Sequence, residues 1–268
     1  MERPSWVPAE VDLTRPSAAR VYDFYLGGSH NLEVDRRMAR EAIELWPDLP
    51  AIMQSNRAFM RRAVRYVAEQ GIAQFLDIGS GIPTVGNVHE AAQQANPQAR
   101  VVYVDNDPVA VAHSRAILGG DERTAVVQAD LREPEALFEH PSLTATLDLD
   151  QPVAVLMVAV LHFVPDADDP WGAVARIAAR LVGGSYLVLS HASAEGRPEQ
   201  AGSHRQLYRR TPTPMTMRSR TEIETLFDGF ELVEPGVVWL PLWRPDDPAE
   251  AEGQPERTTG YAGVGRKR

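Results

Sequence analysis

The chain of 268 residues carries a formal charge of −10, from 27 Lys+Arg against 37 Asp+Glu, and is 44% hydrophobic. That length fits one large domain, or one domain with an appendage, and the apolar fraction is ample for a core. The acidic balance excludes a field that would collect nucleic-acid phosphates, and the absence of cysteine excludes disulfides, zinc–thiolate sites and thiol nucleophiles.

"MERPSWVPAE" at the start has no apolar signal region. The longest uncharged stretch, "QPVAVLMVAVLHFVP" at 151–165, is shorter than the roughly 20 apolar residues of a spanning helix. The expectation is a soluble, cytoplasmic protein with no membrane partner.

Residues 1–70 read as a helical N-terminal cap. Ser17 is placed to cap "AARVYDFYL", Gly27 and Gly28 to end it, and further helices are expected over "EVDRRMAREAIELW" and "IMQSNRAFMRRAVRYVAEQ". From residue 71 onwards apolar β-rich runs alternate with helical patterns. "QFLDIG", "ARVVYVDN", "TAVVQAD", "PVAVLMVAV" and "GSYLVLSHA" read as five strands. Between them, Asp107-Pro108 and Asp169-Pro170 each repeat an N-cap followed by a first-turn proline, and "LREPEALFEH" reads as one helix. Alternation of this kind predicts an α/β, Rossmann-like, mostly parallel sheet with helices on both faces. The tail differs: "ELVEPGVVWLPLW" and "TTGYAGVGRKR" read as a closing antiparallel pair. Residues 193–218 read as an irregular insertion, too polar for core and positioned for function.

In such a sheet, ligands sit beyond the C-terminal strand ends. "FLDIGSGIPT" places Asp77, Gly79 and Gly81 at the first of these ends, with Thr84, after Pro83, at the third glycine position of a dinucleotide turn. Asp77 would repel a diphosphate but attract a cation. S-adenosylmethionine, with its ammonium and sulfonium, fits that acid better than NAD does. Asp105, 28 residues on, ends the second strand and suits ribose hydroxyls. Asp130, a further 25 residues on, ends the third and suits the adenine amine. Ser80, Asn106 and Leu131 flank these positions and join the candidate set. Strand-end aspartates also cap turns, and Asp107 is read as such a cap.

The sequence resembles the class I S-adenosylmethionine-dependent methyltransferases, and specifically an actinomycete family long catalogued as a domain of unknown function. The stretches that carry this include "ARVYDFYLGGSHNLEVDR", "NRAFMRRAVRYVAEQGIAQFLDIGSGIPT", "VVYVDNDPVAVAHSRAIL" and "PVAVLMVAVLHFVPDADDPW". The resemblance implies a seven-stranded sheet with an antiparallel last strand, and S-adenosylmethionine as methyl donor. It assigns Asp77, Gly79 and Gly81 to the methionine moiety, Asp105 to ribose and Asp130 to adenine. It fixes no acceptor. The Asp- or Asn-Pro-Pro-aromatic motif that other members use for nitrogen acceptors is missing here.

His162, after the fourth strand, and His191, ending the fifth, are the candidate general bases. Ser190 and His191 are not expected to act as a pair, since neighbours on a strand face opposite ways. Asp166, Asp168 and Asp169 read as a solvated, helix-capping loop rather than a metal site. In "YDFYLGGSHN", Tyr22, Gly28 and Asn31 are expected to cover the cofactor, with Arg57 reaching its carboxylate, while Tyr208, Met215 and Met217 are placed on the pocket wall. The leading function is methyl transfer to a small molecule. A non-catalytic S-adenosylmethionine-binding module and an NAD-dependent oxidoreductase are the alternatives, and the oligomeric state is not specified.

Overall fold

The computed structural model describes residues 11–83, 86–209 and 211–268; Thr84 lies outside them. Three helices come first: α1 (Ala18–Tyr25), α2 (Glu33–Leu45) and α3 (Leu49–Glu69). Gly27 ends α1 at a φ of 79°, and Gly71 follows α3 at 92°, a left-handed region open to glycine without a Cβ penalty. Ser17 occupies the N-cap position of α1 but makes no cap bond; its hydroxyl reaches Asp107 instead.

The alternating segment supplies β1 (Gln74–Ile78), α4 (Val88–Ala95), β2 (Arg100–Asp105), α5 (Pro108–Leu118) and β3 (Thr124–Gln128). Next come α6 (Pro134–Phe138), α7 (Pro141–Thr146), β4 (Ala154–Val158), α8 (Pro170–Ala179) and β5 (Tyr186–Ala192). The helix expected over "LREPEALFEH" is α6, and α7 follows it outside that stretch. Pro141 begins a new helix whose first turn is capped by His140, the ring accepting from Ser142 N–H. The capping aspartates behave as read: Asp107 accepts from Val109 and Ala110, and Asp169 from Gly172.

The tail adds α9 (Pro198–Tyr208), α10 (Arg220–Thr225), β6 (Phe230–Leu232), β7 (Val238–Trp239) and β8 (Gly260–Lys267). Strand order is β3-β2-β1-β4-β5-β8-β6, with the two-residue β7 pairing to β8 off this path. The first five strands run parallel, and β8 runs antiparallel to both β5 and β6. The expected seven-strand path is present, and β7 is an addition to it.

Strand periodicity divides the core. Leu76, Ile78, Val102, Val104, Val155 and Leu187 pack with α6, α7, α8 and α10, whereas Phe75, Val101, Tyr103, Leu156 and Val188 pack with α3 and α4. Each such side chain, fully buried, contributes roughly 1.5–3 kcal/mol. With both faces covered, β4 reads as an unbroken apolar run. The same alternation puts Asp77, Asp105 and Ser190 on the face covered by α3, and His191 on the other.

One expectation fails here. Residues 193–218 are not too polar to bury: α9 turns Ala201, His204 and Tyr208 inward, and Tyr208 joins Val21, Tyr25, Met38 and Trp46 in a cluster with α1 and α2. One apolar side chain per helical turn suffices, and that spacing is diluted in the composition of the segment. Among the described residues no helix is long and apolar enough to cross a membrane.

Candidate functional site

The turn after β1 is held by backbone bonds. Gly79 and Ser80 N–H groups both donate to the Val104 carbonyl, at 2.8 and 3.0 Å, fastening the turn to β2. Gly79 has a φ of 74°, and a Cβ there would collide with Val160. Gly81, at 65°, donates its N–H to Asp105 Oδ2 at 2.7 Å. Asp105 Oδ1 accepts from Asp107 N–H at 2.8 Å. Asp107 in turn receives the Ser17 hydroxyl, and Arg20 Nη1 lies 3.5 Å from its Oδ2. The start of α1 is thus anchored beside the glycine turn. Arg20 is itself buried against Asp35, Nε to Oδ2 at 2.8 Å.

A cavity of about 590 Å³ opens at the C-terminal ends of β1 to β5, roofed by residues 11–22, α3 and the 193–218 segment. Its size is that of a pocket for a cofactor or a small organic ligand. At one end lie three strand-end acids in different states. Asp77 is 5% exposed and has no hydrogen-bond partner among the described residues. Burial pushes its carboxyl up to about 7, with Arg57 opposing and Asp105 adding to the rise. Burial also raises Asp105, to about 6, against the pull of its backbone donors. Asp130 is held below the ordinary carboxylate range, chiefly by hydrogen bonds from Arg132, whose Nε and Nη2 sit 2.9 and 2.6 Å from its oxygens.

A buried carboxylate without donors is costly unless a cation compensates it. Asp77, behind two glycines whose backbone a ligand can approach closely, therefore fits the ammonium and sulfonium of S-adenosylmethionine. It does not fit a diphosphate.

The other end of the cavity is formed by the ends of β4 and β5. Ser190 Oγ accepts from Ala159 N–H at 3.0 Å and donates to Asn56 Oδ1 at 2.6 Å; Asn56 Nδ2 donates to Tyr22 Oη at 2.9 Å. His162 Nδ1 accepts from Ala192 N–H at 3.3 Å. Burial, then the nearby His191 and Arg218, hold its ring well below the usual histidine range.

Arg218, 2% exposed, joins these pieces from below. It donates to Leu161 O at 3.0 Å, Val164 O at 2.8 Å, Asp166 Oδ1 at 2.7 Å and His191 Nε2 at 2.8 Å. The other His191 nitrogen, Nδ1, lies 2.8 Å from Ala192 O. Both ring nitrogens are thus engaged, and burial lowers the ring to about 3. His191 is corrected from candidate base to structural link. His162 likewise keeps no free lone pair on Nδ1.

Of the residues expected from sequence, Asp77, Gly79, Ser80, Gly81, Asp105, Asn106, Asp130, Leu131, Tyr22, Arg57 and His162 all border the cavity, as do Tyr208, Met215 and Met217. Gly28 and Asn31 do not. Asn31 Nδ2 donates to Asp23 Oδ2 at 2.8 Å and to Gly28 O at 2.9 Å, and a Cβ on Gly28 would strike the Asp23 carboxylate. These two residues close the α1–α2 loop around a buried aspartate, which explains why their pattern exceeds ordinary helix packing. The aspartates near His162 are each accounted for: Asp166 binds Arg218, Asp168 binds Arg132, and Asp169 caps α8. Sequence reading missed Asn56, Ser190 as a network member, and Arg218. The available signal was polar residues interrupting the apolar faces of α3 and β5.

The chain matches the family described as S-adenosyl methyltransferase over residues 4–268. It is 43% identical to a Streptomyces avermitilis protein assigned to a family of unknown function, with a TM-score of 0.92 covering 96% of this chain and 99% of that one. It is also 43% identical to a Thermobifida fusca protein provisionally named a methyltransferase, with a TM-score of 0.90 covering 99% and 100%. Human N-acetylserotonin methyltransferase, solved with S-adenosylmethionine, shares the fold at 14% identity and a TM-score of 0.51, over 97% of this chain and 60% of that one. No curated protein matches the sequence. The chain belongs to the S-adenosyl methyltransferase family, and S-adenosylmethionine is its cofactor.

Proposed function

We propose that the protein transfers a methyl group from S-adenosylmethionine to a small organic acceptor held in the same cavity. The observation that carries this reading is one cavity with unlike ends: a buried acid without a donor among the described residues, Asp77, at one, and a wall that includes Met53, Phe163, Met215 and Met217 at the other. In this reading Asp77 faces the donor's ammonium, and Gly79, Ser80 and Gly81 let backbone lie against the methionine chain. Arg57, on the same side as Asp77, takes the carboxylate. Asp105 retains lone pairs beyond its two backbone donors for the ribose hydroxyls. Asn106, Asp130 and Leu131 form the adenine wall, Arg132 holding Asp130 in place.

When bound, the donor supplies an activated methyl carbon open to in-line displacement. The chain's contribution is alignment and exclusion of water, and orientation alone can be worth ~7–11 kcal/mol. The cavity volume of about 590 Å³ and the net charge of −10 favour a small molecule over a nucleic acid.

Calorimetric titration with S-adenosylmethionine, S-adenosylhomocysteine and NAD tests the donor half. Both adenosyl ligands should bind and NAD should not. Asp105→Asn, which keeps one backbone acceptor, should weaken both. Silence from the adenosyl ligands, or heat from NAD alone, would overturn the proposal. Incubation with labelled donor and a small-molecule library then tests transfer.

A further inference from the structure

The hydrogen-bond directions at the β4–β5 end are set by two backbone amides, which can only donate. Ala159 N–H is shared between Ser190 O and Ser190 Oγ, and the serine hydroxyl donates to Asn56 Oδ1, 2.6 Å away. That fixes the amide of Asn56, whose Nδ2 then donates to Tyr22 Oη at 2.9 Å. Tyr22 must therefore point its own proton outward. The protein acceptor within reach is Met53 O, at 3.4 Å, the far limit of a hydrogen bond. Ala192 N–H does the same to His162: with Nδ1 accepting, a neutral ring carries its proton on Nε2, and that atom has no partner among the described residues. Two neutral donors thus border the cavity, His162 after β4 and Tyr22 on α1, the latter joined to the end of β5 through Asn56 and Ser190.

The surroundings favour negative charge there. α1, α3, β5 and residues 193–218 contribute no carboxylate to the cavity lining. The titratable or charged groups around this end are Arg57 on α3, Asp77 at the end of β1, His191 on β5 with Arg218 behind it, and His204 and Tyr208 on α9; Asp168, in the loop after β4, is paired with Arg132. Met53, Phe163, Met215 and Met217 complete an apolar, sulfur-rich wall suited to a flat unsaturated body.

We propose that the methyl acceptor is an acidic hydroxyl compound, an enol or a phenol, which enters as its oxyanion and is held by the Tyr22 hydroxyl and His162 Nε2–H. This rests on the methyltransferase reading and deepens it. The acceptor oxygen, already anionic, forms the bond to the methyl carbon as the carbon–sulfur pair passes to sulfur. Oxygen and sulfur both finish neutral, no proton moves, and no protein base is required. Tyr22 and His162 act as an oxyanion site, and Ser190 and Asn56 are positioning residues that keep Tyr22 donating.

4-Nitrophenol tests this, because its phenolate is coloured and its phenol is not. Bound to protein saturated with S-adenosylhomocysteine, it should titrate about one pH unit or more below its free value, since donors favour the charged form. Tyr22→Phe, which deletes one hydroxyl, should return part of the shift. Asn56→Asp, whose carboxylate would claim the Tyr22 proton, should return more. A bound probe titrating at or above its free value, a shift that survives both variants, or no binding of the probe would each overturn the proposal. Absence of S-adenosylhomocysteine binding in the unaltered protein would instead remove the donor site itself, and this proposal with it.

Discussion

The two ends of the cavity are built on different plans. The donor end comes from three successive strand–turn units, each finishing in an aspartate within a few residues of its own turn. Its bonds are short-range or run between adjacent strands, such as Gly81 N–H to Asp105 and Gly79 N–H to Val104. The opposite end is assembled from α1, α3, β5 and the segment after it, and Arg218 by its several bonds joins the loop after β4, Asp166 included, to the end of β5, alongside the Ala192–His162 bond. The first end holds a carboxylate without a donor among the described residues; the second is built on two chains of bonds, one through Ser190, Asn56 and Tyr22 and one through Arg218. A site meant to seize a cation can leave a carboxylate waiting, whereas a site meant to present donors must spend its bonds fixing their direction.

The largest expected effect breaks the second plan. Arg218→Met would strip donors from two buried carbonyls and from His191, at a cost of about 3–5 kcal/mol by the usual penalty for unpaired buried groups. The urea midpoint should fall accordingly. A midpoint within error of the unaltered protein would mean that the loop after β4 is held by packing alone. Gly79→Ala strikes the first plan. A left-handed φ for alanine and a collision with Val160 together cost about 2–4 kcal/mol, and thermal unfolding would read the loss. Adding Val160→Ala should recover the collision part and leave the backbone part.

That contrast also explains what was legible in the sequence. The sheet, its two capped helices and the strand-end acids could be read because each is encoded within about ten neighbouring residues, where strand period, N-cap and glycine turn are local properties. His191 was misread because its neighbour Arg218 lies across the 193–218 segment, and nothing in "LSHAS" announces that both ring nitrogens are taken. Gly28 and Asn31 were misread for the converse reason: their partner, Asp23, is close in sequence, but a buried aspartate on α1 looks like an ordinary surface position. The α9 core face escaped notice because its apolar residues come one per turn among Glu, Gln and Arg.

Asp77→Asn sharpens the comparison with a smaller, two-sided effect. Removing one charged partner of the donor's ammonium should weaken S-adenosylmethionine about 10- to 100-fold, the range for a hydrogen bond to a charged group. The ligand-free variant should nevertheless melt higher near pH 8, because it no longer buries an uncompensated carboxylate. Weaker binding with a lower melting point would indicate that Asp77 is structural after all.

The smallest effect is in pH dependence, and it should belong to the donor end alone. Burial raises Asp77 to about 7 and Asp105 to about 6, both from an ordinary 3.8. Between those limits the folded, ligand-free protein holds protons that the unfolded chain has released. Its stability therefore falls as pH rises from about 4 to 7 and is flat beyond with respect to these groups. A cation prefers both acids ionised, so binding has the opposite slope. Affinity should rise about fourfold from pH 6.5 to 8 through Asp77 alone, with about one proton released at the lower pH. Calorimetry in two buffers of different protonation enthalpy would count that proton. His162 and His191 stay neutral throughout this window, since burial keeps both well below it, and so contribute no slope. Asp77→Asn should flatten most of the profile. A slope that survives the variant unchanged would place the titrating group elsewhere and cancel the distinction between the two ends.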